Sequence, residues 1–121
     1  MKKIVVGGQI DKKEVAELVE KYGDGKFEIE TKSDLEAAMA LKSGAADYYL
    51  GACNTGGGGA LAMAIALVGR DATVTVSMPG NLMSEEEIRE NVNKGKKAFG
   101  FTAQHKDTVV PTIMEELKKI N

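Results

Sequence analysis

The stretch from Asp47 to Gly69, "DYYLGACNTGGGGALAMAIALVG", decides the fold. After its opening aspartate, "YYLGAC" carries no charge, as expected of a strand covered on both faces. Four consecutive glycines, Gly56 to Gly59, then lead into the wholly apolar run Ala60 to Val68, which predicts a helix. A buried strand that turns directly into a helix is half of a parallel crossover unit, so the neighbouring segments should alternate in the same way.

They do. Upstream, Lys3 to Val6 is a β-branched run closed by Gly7-Gly8. Asp11 and Glu14 then form a D-x-x-E pattern that predicts a capping box ahead of Val15, Leu18, Val19 and Tyr22, spaced for one helix face. Gly23 and Gly25 bracket a stop. "KFEIETK" alternates Phe27, Ile29 and Thr31 with charged residues, the pattern of a half-solvated edge strand. Ser33 and Glu36 predict a second capping box, with Leu35, Ala38 and Met39 as the inner face and Gly44 as the C-terminal cap. Downstream, "ATVTVSM" is a fourth strand, followed by the turn Pro79-Gly80-Asn81. Ser84 and Glu87 box a helix carrying Ile88 and Val92 that ends at Gly95, and "AFGFTA" is a weaker fifth strand. Thr108 is the expected cap of a last helix, with Pro111 in its first turn and Val110, Ile113, Met114, Leu117 and Ile120 facing inward.

Five strands alternating with five helices over residues 1–121 define a single α/β domain, a three-layer α/β/α sandwich with a mainly parallel five-stranded sheet. The expected strand order is 2-1-3-4-5, flavodoxin-like or Rossmann-like. Ligands of such sheets sit beyond the carboxyl ends of the strands where the order reverses, here between the first and third strands.

Composition narrows the function. Sixteen Lys and Arg against eighteen Asp and Glu give a net charge of −2 without a basic block, which argues against nucleic acid and membrane surfaces as partners. One cysteine excludes an internal disulfide, and with one histidine it makes too poor a set for a structural metal site. "MKKIVVGGQIDKK" reads as a first strand and not as a signal peptide, and Ala60 to Val68 is about half a membrane span. A soluble protein of the reducing cytoplasm is expected, with no cofactor.

Asn54, Thr55, Gly56, Gly57, Gly58 and Gly59 are the candidate anion-binding residues. Glycines bring backbone N–H groups close to a ligand, and the start of a helix favours negative charge. A phosphate suits such a cradle. No G-x-x-x-x-G-K-[ST] is present, which argues against a nucleotide triphosphatase. Gly57-x-Gly59-x-x-Ala62 meets a loose dinucleotide pattern, but after the third strand and with Met78-Pro79-Gly80 where an acidic ribose partner belongs. A glycine turn that only packs closely on a neighbouring helix fits the same letters.

Cys53 and His105 are the candidate catalytic residues. Cys53 lies where a helix dipole favours a thiolate, and equally where a small apolar filler would be buried. His105, at the end of the fifth strand, suits an acid, a base or an anion contact, or a plain surface position. Gly8, Gln9 and Asn81 are candidate substrate-binding residues. Together with Ser77, Thr102 and Gln104 they follow strands and share one rim, a set that suits a phosphorylated, hydroxyl-bearing small molecule. Because Ala60 to Val68 is apolar all round and a sheet covers only one side of it, this helix is the expected seam of a homodimer or higher homo-oligomer.

Two resemblances add to this reading. From "KKIVVGG" through "DLEAAMALKSGAADYYLGACNTGGGGALAMAIALVG" to "KKAFGFTAQHKDTVVPTIMEELKK" the chain resembles the YhfU-like family of small bacterial proteins, which implies no particular activity. Locally, "DYYLGACNTGGGGALAMAIA" is similar to the cysteine and glycine loop of the ribose-5-phosphate isomerase B family, matched at Cys53, Thr55, Gly56 and Gly58. That resemblance implies Cys53 as the base that moves a proton between sugar carbons, and the N–H groups of Gly56 to Gly59 as oxyanion donors. The aspartate-histidine pair of that family is replaced here by Gly8-Gln9-Ile10. A non-catalytic regulatory or structural subunit is the remaining alternative.

Overall fold

The computed structural model describes residues 1–54 and 61–121. The strands are β1 (Lys2–Gly8), β2 (Phe27–Thr31), β3 (Tyr48–Cys53), β4 (Thr73–Thr75), β5 (Ser77–Met78), β6 (Asn81–Leu82) and β7 (Ala98–Thr102). The helices are α1 (Lys12–Gly23), α2 (Asp34–Ser43), α3 (Ala62–Val68), α4 (Glu85–Asn93) and α5 (Lys106–Ile120). The five-stranded sheet runs β2-β1-β3-β7-β4 with every pair parallel, and β5 and β6 form a small antiparallel hairpin. The three-layer architecture is as expected, and the reversal between β1 and β3 is retained. The last two strands of the sheet exchange places: β7 lies inside and β4 takes the edge.

Burial explains the exchange. All five residues of β7 are buried, including Phe99 and Phe101 at 0% exposure, so this strand needs cover on both faces and pairing on both sides. β4 is three residues long, with Val74 and Thr75 only half-buried, and a short edge strand exposes few unpaired backbone groups. The rest of "ATVTVSM" turns out of the sheet after Val76, whose N–H still bonds Gly100 O at 2.9 Å, and enters the hairpin around Pro79-Gly80.

One face of the sheet packs Ile4, Val6, Leu50, Ala52, Phe99 and Phe101 against α1, α4 and α5. The other packs Val5, Tyr49 and Ala98 under α2 and α3. The capping box of Ser84 and Glu87 forms, Ser33 Oγ accepts from Glu36 N, and Gly44 ends α2 in the left-handed region. Four expectations are corrected. Asp11 is left-handed at φ 54° and makes no cap, because its carboxylate pairs instead with Lys106 at 3.2 Å. α5 starts at Lys106, which puts Thr108 and Pro111 inside it, and Ile120 is exposed beyond its buried stripe. Leu35 and Met39 face outward, and the inner stripe of α2 is Asp34, Ala37, Ala38 and Leu41. The described helix after the glycines begins at Ala62, and Ala60 lies outside the described residues. Among the described residues no helix is long and apolar enough to cross a membrane.

Arg89 clamps α4 to α5 by pairing with Glu85, Glu115 and Glu116 at 2.7, 2.9 and 2.9 Å. Asn93 donates to Glu116 Oε2 at 2.8 Å, and this bond together with Arg89 holds the Glu116 carboxyl below its ordinary value of 4.5. A carboxylate depressed in the folded state contributes stability above its unfolded pKa, and that contribution is lost as pH falls through the folded one. Urea midpoints measured from neutral pH down to roughly pH 3 are expected to drop on this limb, and Glu116→Gln is expected to flatten the drop.

Candidate functional site

The carboxyl rim of the sheet is built from residues in register. Gly8 lies opposite Ala52, Cys53 lies opposite Thr102, and the buried Ser77 Oγ accepts from Thr102 N at 2.9 Å. Paired residues of a parallel sheet share a face, so Cys53 and Thr102 both project toward the α2/α3 side. Cys53 is 1% exposed and Thr102 is 4% exposed. Thr102 Oγ1 has no hydrogen-bond partner among the described residues, and the same is true of His105 Nδ1, in the 3-10 turn Ala103–His105 after β7. Almost all buried polar groups in folded proteins are paired, and one left unpaired costs about 1–3 kcal/mol, so two such atoms, at the end of one strand and in the turn after it, mark the rim as unusual.

Below the rim runs a row of glycines. Gly7, Gly51 and Gly100 are neighbours in register across β1, β3 and β7 on the α2/α3 face. Tyr49 lies over the first two: a Cβ on Gly7 would stand 2.9 Å from its ring, and one on Gly51 would stand 3.0 Å away. Its hydroxyl donates to Asp34 Oδ1 at 2.7 Å, and Gly8 N donates to the same oxygen at 2.5 Å. Burial, and then the bond to Asp34, push the Tyr49 phenol well above its usual value, so it stays a neutral donor at physiological pH. Gly8 sits at φ 93°, where a Cβ would lie 2.5 Å from the backbone of Ala52. Only glycine fits there. The next residue, Gln9, bonds Ala52 O through its N–H at 2.9 Å, which fixes the turn from β1 toward α1.

The structure brings Gly8, Cys53 and Thr102 to one rim, with Ser77 behind. Gln9 and Asn54 are exposed at the same edge, and Asn81 is exposed on the β5/β6 hairpin. Lys106, beside His105, reaches across to Asp11 and ties the turn after β7 to the turn after β1. Thr55, Gly56, Gly57, Gly58 and Gly59 lie outside the described residues. Asp34 and Tyr49 were missed by sequence reading. Among the described residues no cluster of His, Cys, Asp and Glu could hold a metal ion.

Fold and rim together define a doubly wound α/β protein with two buried polar atoms, unpartnered among the described residues, at the carboxyl edge of a central strand. A family profile described as "Protein of unknown function DUF2620" matches residues 2–117, and the chain belongs to that family. It is similar to the uncharacterized protein YhfU of Escherichia coli K12 and that of Shigella flexneri. Each is 41% identical over 118 residues, covering 98% of this chain and 100% of the relative. No solved structure matches it.

Tyr49→Phe deletes the donor to Asp34 and leaves the ring in place. The expected outcome is a loss of about 1–3 kcal/mol in urea unfolding without a change of fold by circular dichroism.

Proposed function

We propose that this protein binds a small anionic metabolite, phosphorylated and hydroxyl-bearing, at the carboxyl ends of β1, β3 and β7. The observation that carries this reading is Thr102 Oγ1, a buried hydroxyl unpartnered among the described residues, beside Cys53 on the same sheet face. A hydroxyl both donates and accepts, so it can serve a phosphate oxygen or a sugar hydroxyl. His105 Nδ1 offers a second unpartnered polar atom after the same strand. In this reading Gly8 and Gln9 form one wall, Asn81 orients the distal part of the ligand, and Asn54 with Thr55 to Gly59 holds the anion.

The same place serves a second reading, a sugar-phosphate isomerase or epimerase, which the position of Cys53 beside the Thr102 hydroxyl favours. Cys53 would then be the base. The two readings separate by experiment. Cys53→Ala is expected to abolish turnover of a sugar phosphate and keep its binding if the protein is an enzyme. Binding without turnover by the wild type leaves the first reading alone.

Thermal shift with inorganic phosphate, sugar phosphates and nucleotides tests the binding itself, since a ligand at 100 times its dissociation constant adds about 2.7 kcal/mol of stability. Thr102→Val is close to isosteric and is expected to leave the free protein as stable as before, or more so, while cancelling the ligand shift. No shift with any of these compounds, or a shift that Thr102→Val leaves untouched, would overturn the proposal.

A further inference from the structure

The outer surface of the α2/α3 layer exposes large apolar side chains. Leu35 is 50% exposed and Met39 55% on α2, and on α3 Met63 is 45% exposed with Ala62 and Ala66 also exposed. α3 carries no charged residue in Ala62–Val68, and its inner side, Ala64 with the half-buried Ile65, Leu67 and Val68, already packs toward α2 and the sheet. Several large apolar side chains exposed on one layer are a feature of interaction surfaces.

The charges on α2 say what fits there. Leu35, Met39 and Lys42 are spaced i, i+4 and i+7, so they line one outward stripe, with Glu36 exposed alongside. Glu36 and Lys42 are each three residues from Met39, on opposite sides of it. An antiparallel crossing of two α2 helices with its two-fold axis at Met39 therefore sets Glu36 of each copy against Lys42 of the other. Both electrostatic contacts are attractive, and Leu35 and Met39 close the space between them. Lys42 makes no ion pair among the described residues, so its charge is uncommitted within the chain. A self-complementary pattern of this kind is what an isologous interface requires.

We propose that this face is the seam of a homodimer, with α2 crossing its own copy at Met39 and α3 widening the apolar contact on either side. The proposal is independent of the ligand reading, because none of these side chains belongs to the rim.

Charge reversal tests it. By sedimentation or light scattering the wild type is expected to be dimeric, and Glu36→Lys and Lys42→Glu are each expected to weaken the dimer at least tenfold. An equimolar mixture of the two variants is expected to form a heterodimer as tight as the wild type, because each reversed charge then meets its opposite. Met39→Cys is the second test, since a residue on the axis meets itself. Under mild oxidation it is expected to yield a disulfide-linked dimer, while Glu20→Cys on the opposite layer does not, and Cys53 at 1% exposure does not compete. A wild type that stays monomeric, a dimer indifferent to both reversals, or a Met39→Cys protein that fails to cross-link would overturn the seam.

Discussion

The fold turns on one oxygen atom. Asp34 Oδ1 accepts from the Tyr49 hydroxyl and from the Gly8 amide, and those two bonds join α2 to the carboxyl end of β1 and to a side chain from the start of β3. Hydrogen bonds of this kind contribute about 1–3 kcal/mol, and the cost of leaving either partner buried alone is of the same order, so the alternatives are disfavoured from both sides. The tether also sets the rotation of α2. With Asp34 drawn inward, the residues at i+3, i+4 and i+7 from it, Ala37, Ala38 and Leu41, must follow, and they are the buried ones. Small alanines let the helix lie close to the sheet. Leu35 and Met39, the larger apolar residues, are left outside.

The same tether explains the glycine row. A tyrosine that reaches sideways from β3 to Asp34 has to lie flat over β1 and its own strand, and any side chain at Gly7 or Gly51 would occupy the space its ring needs. Ring, row and carboxylate thus form one unit that pins the sheet just beneath Gly8, Cys53 and Thr102. The polar groups at the rim are therefore held by rigid strands. Rigid support of this kind reduces the ordering cost of binding.

Much of this was legible in the sequence. Alternation of strand and helix signals gave the layers, and the uncharged "YYLGAC" identified β3 as central. Ser84 with Glu87 and Ser33 with Glu36 marked helix starts. What escaped was decided by contacts between distant residues. Apolar spacing assigned Leu35 and Met39 to the core, because nothing local reveals that Asp34 pairs with a tyrosine fifteen positions later. "AFGFTA" reads locally as the weaker strand, yet Gly100 continues the row formed by Gly7 and Gly51, and the flanking Phe99 and Phe101 need the interior. A signal did exist. Each of the three inner strands carries a glycine in register with the others, and aligning "VGG", "LGA" and "FGF" places β7 beside β3.

The unpaired hydroxyl of Thr102 sets the energetic scale of what the rim can do. Two buried atoms unpartnered among the described residues, one at the end of β7 and one in the turn after it, at about 1–3 kcal/mol each, weigh against a net folding stability of roughly 5–15 kcal/mol. A valine at the same place would fill the same space without that cost. The hydroxyl gives nothing to the free protein that a methyl would not, whereas a ligand that bonds to it recovers the desolvation already incurred on folding. Because the group is fixed by its strand and by the Ser77 bond to its own amide, little further order has to be imposed when the ligand arrives. In the proposed reading, preorganisation and an unmet hydrogen bond in the same residue would concentrate the free energy of recognition at the junction of β3 and β7, one strand over from the reversal between β1 and β3.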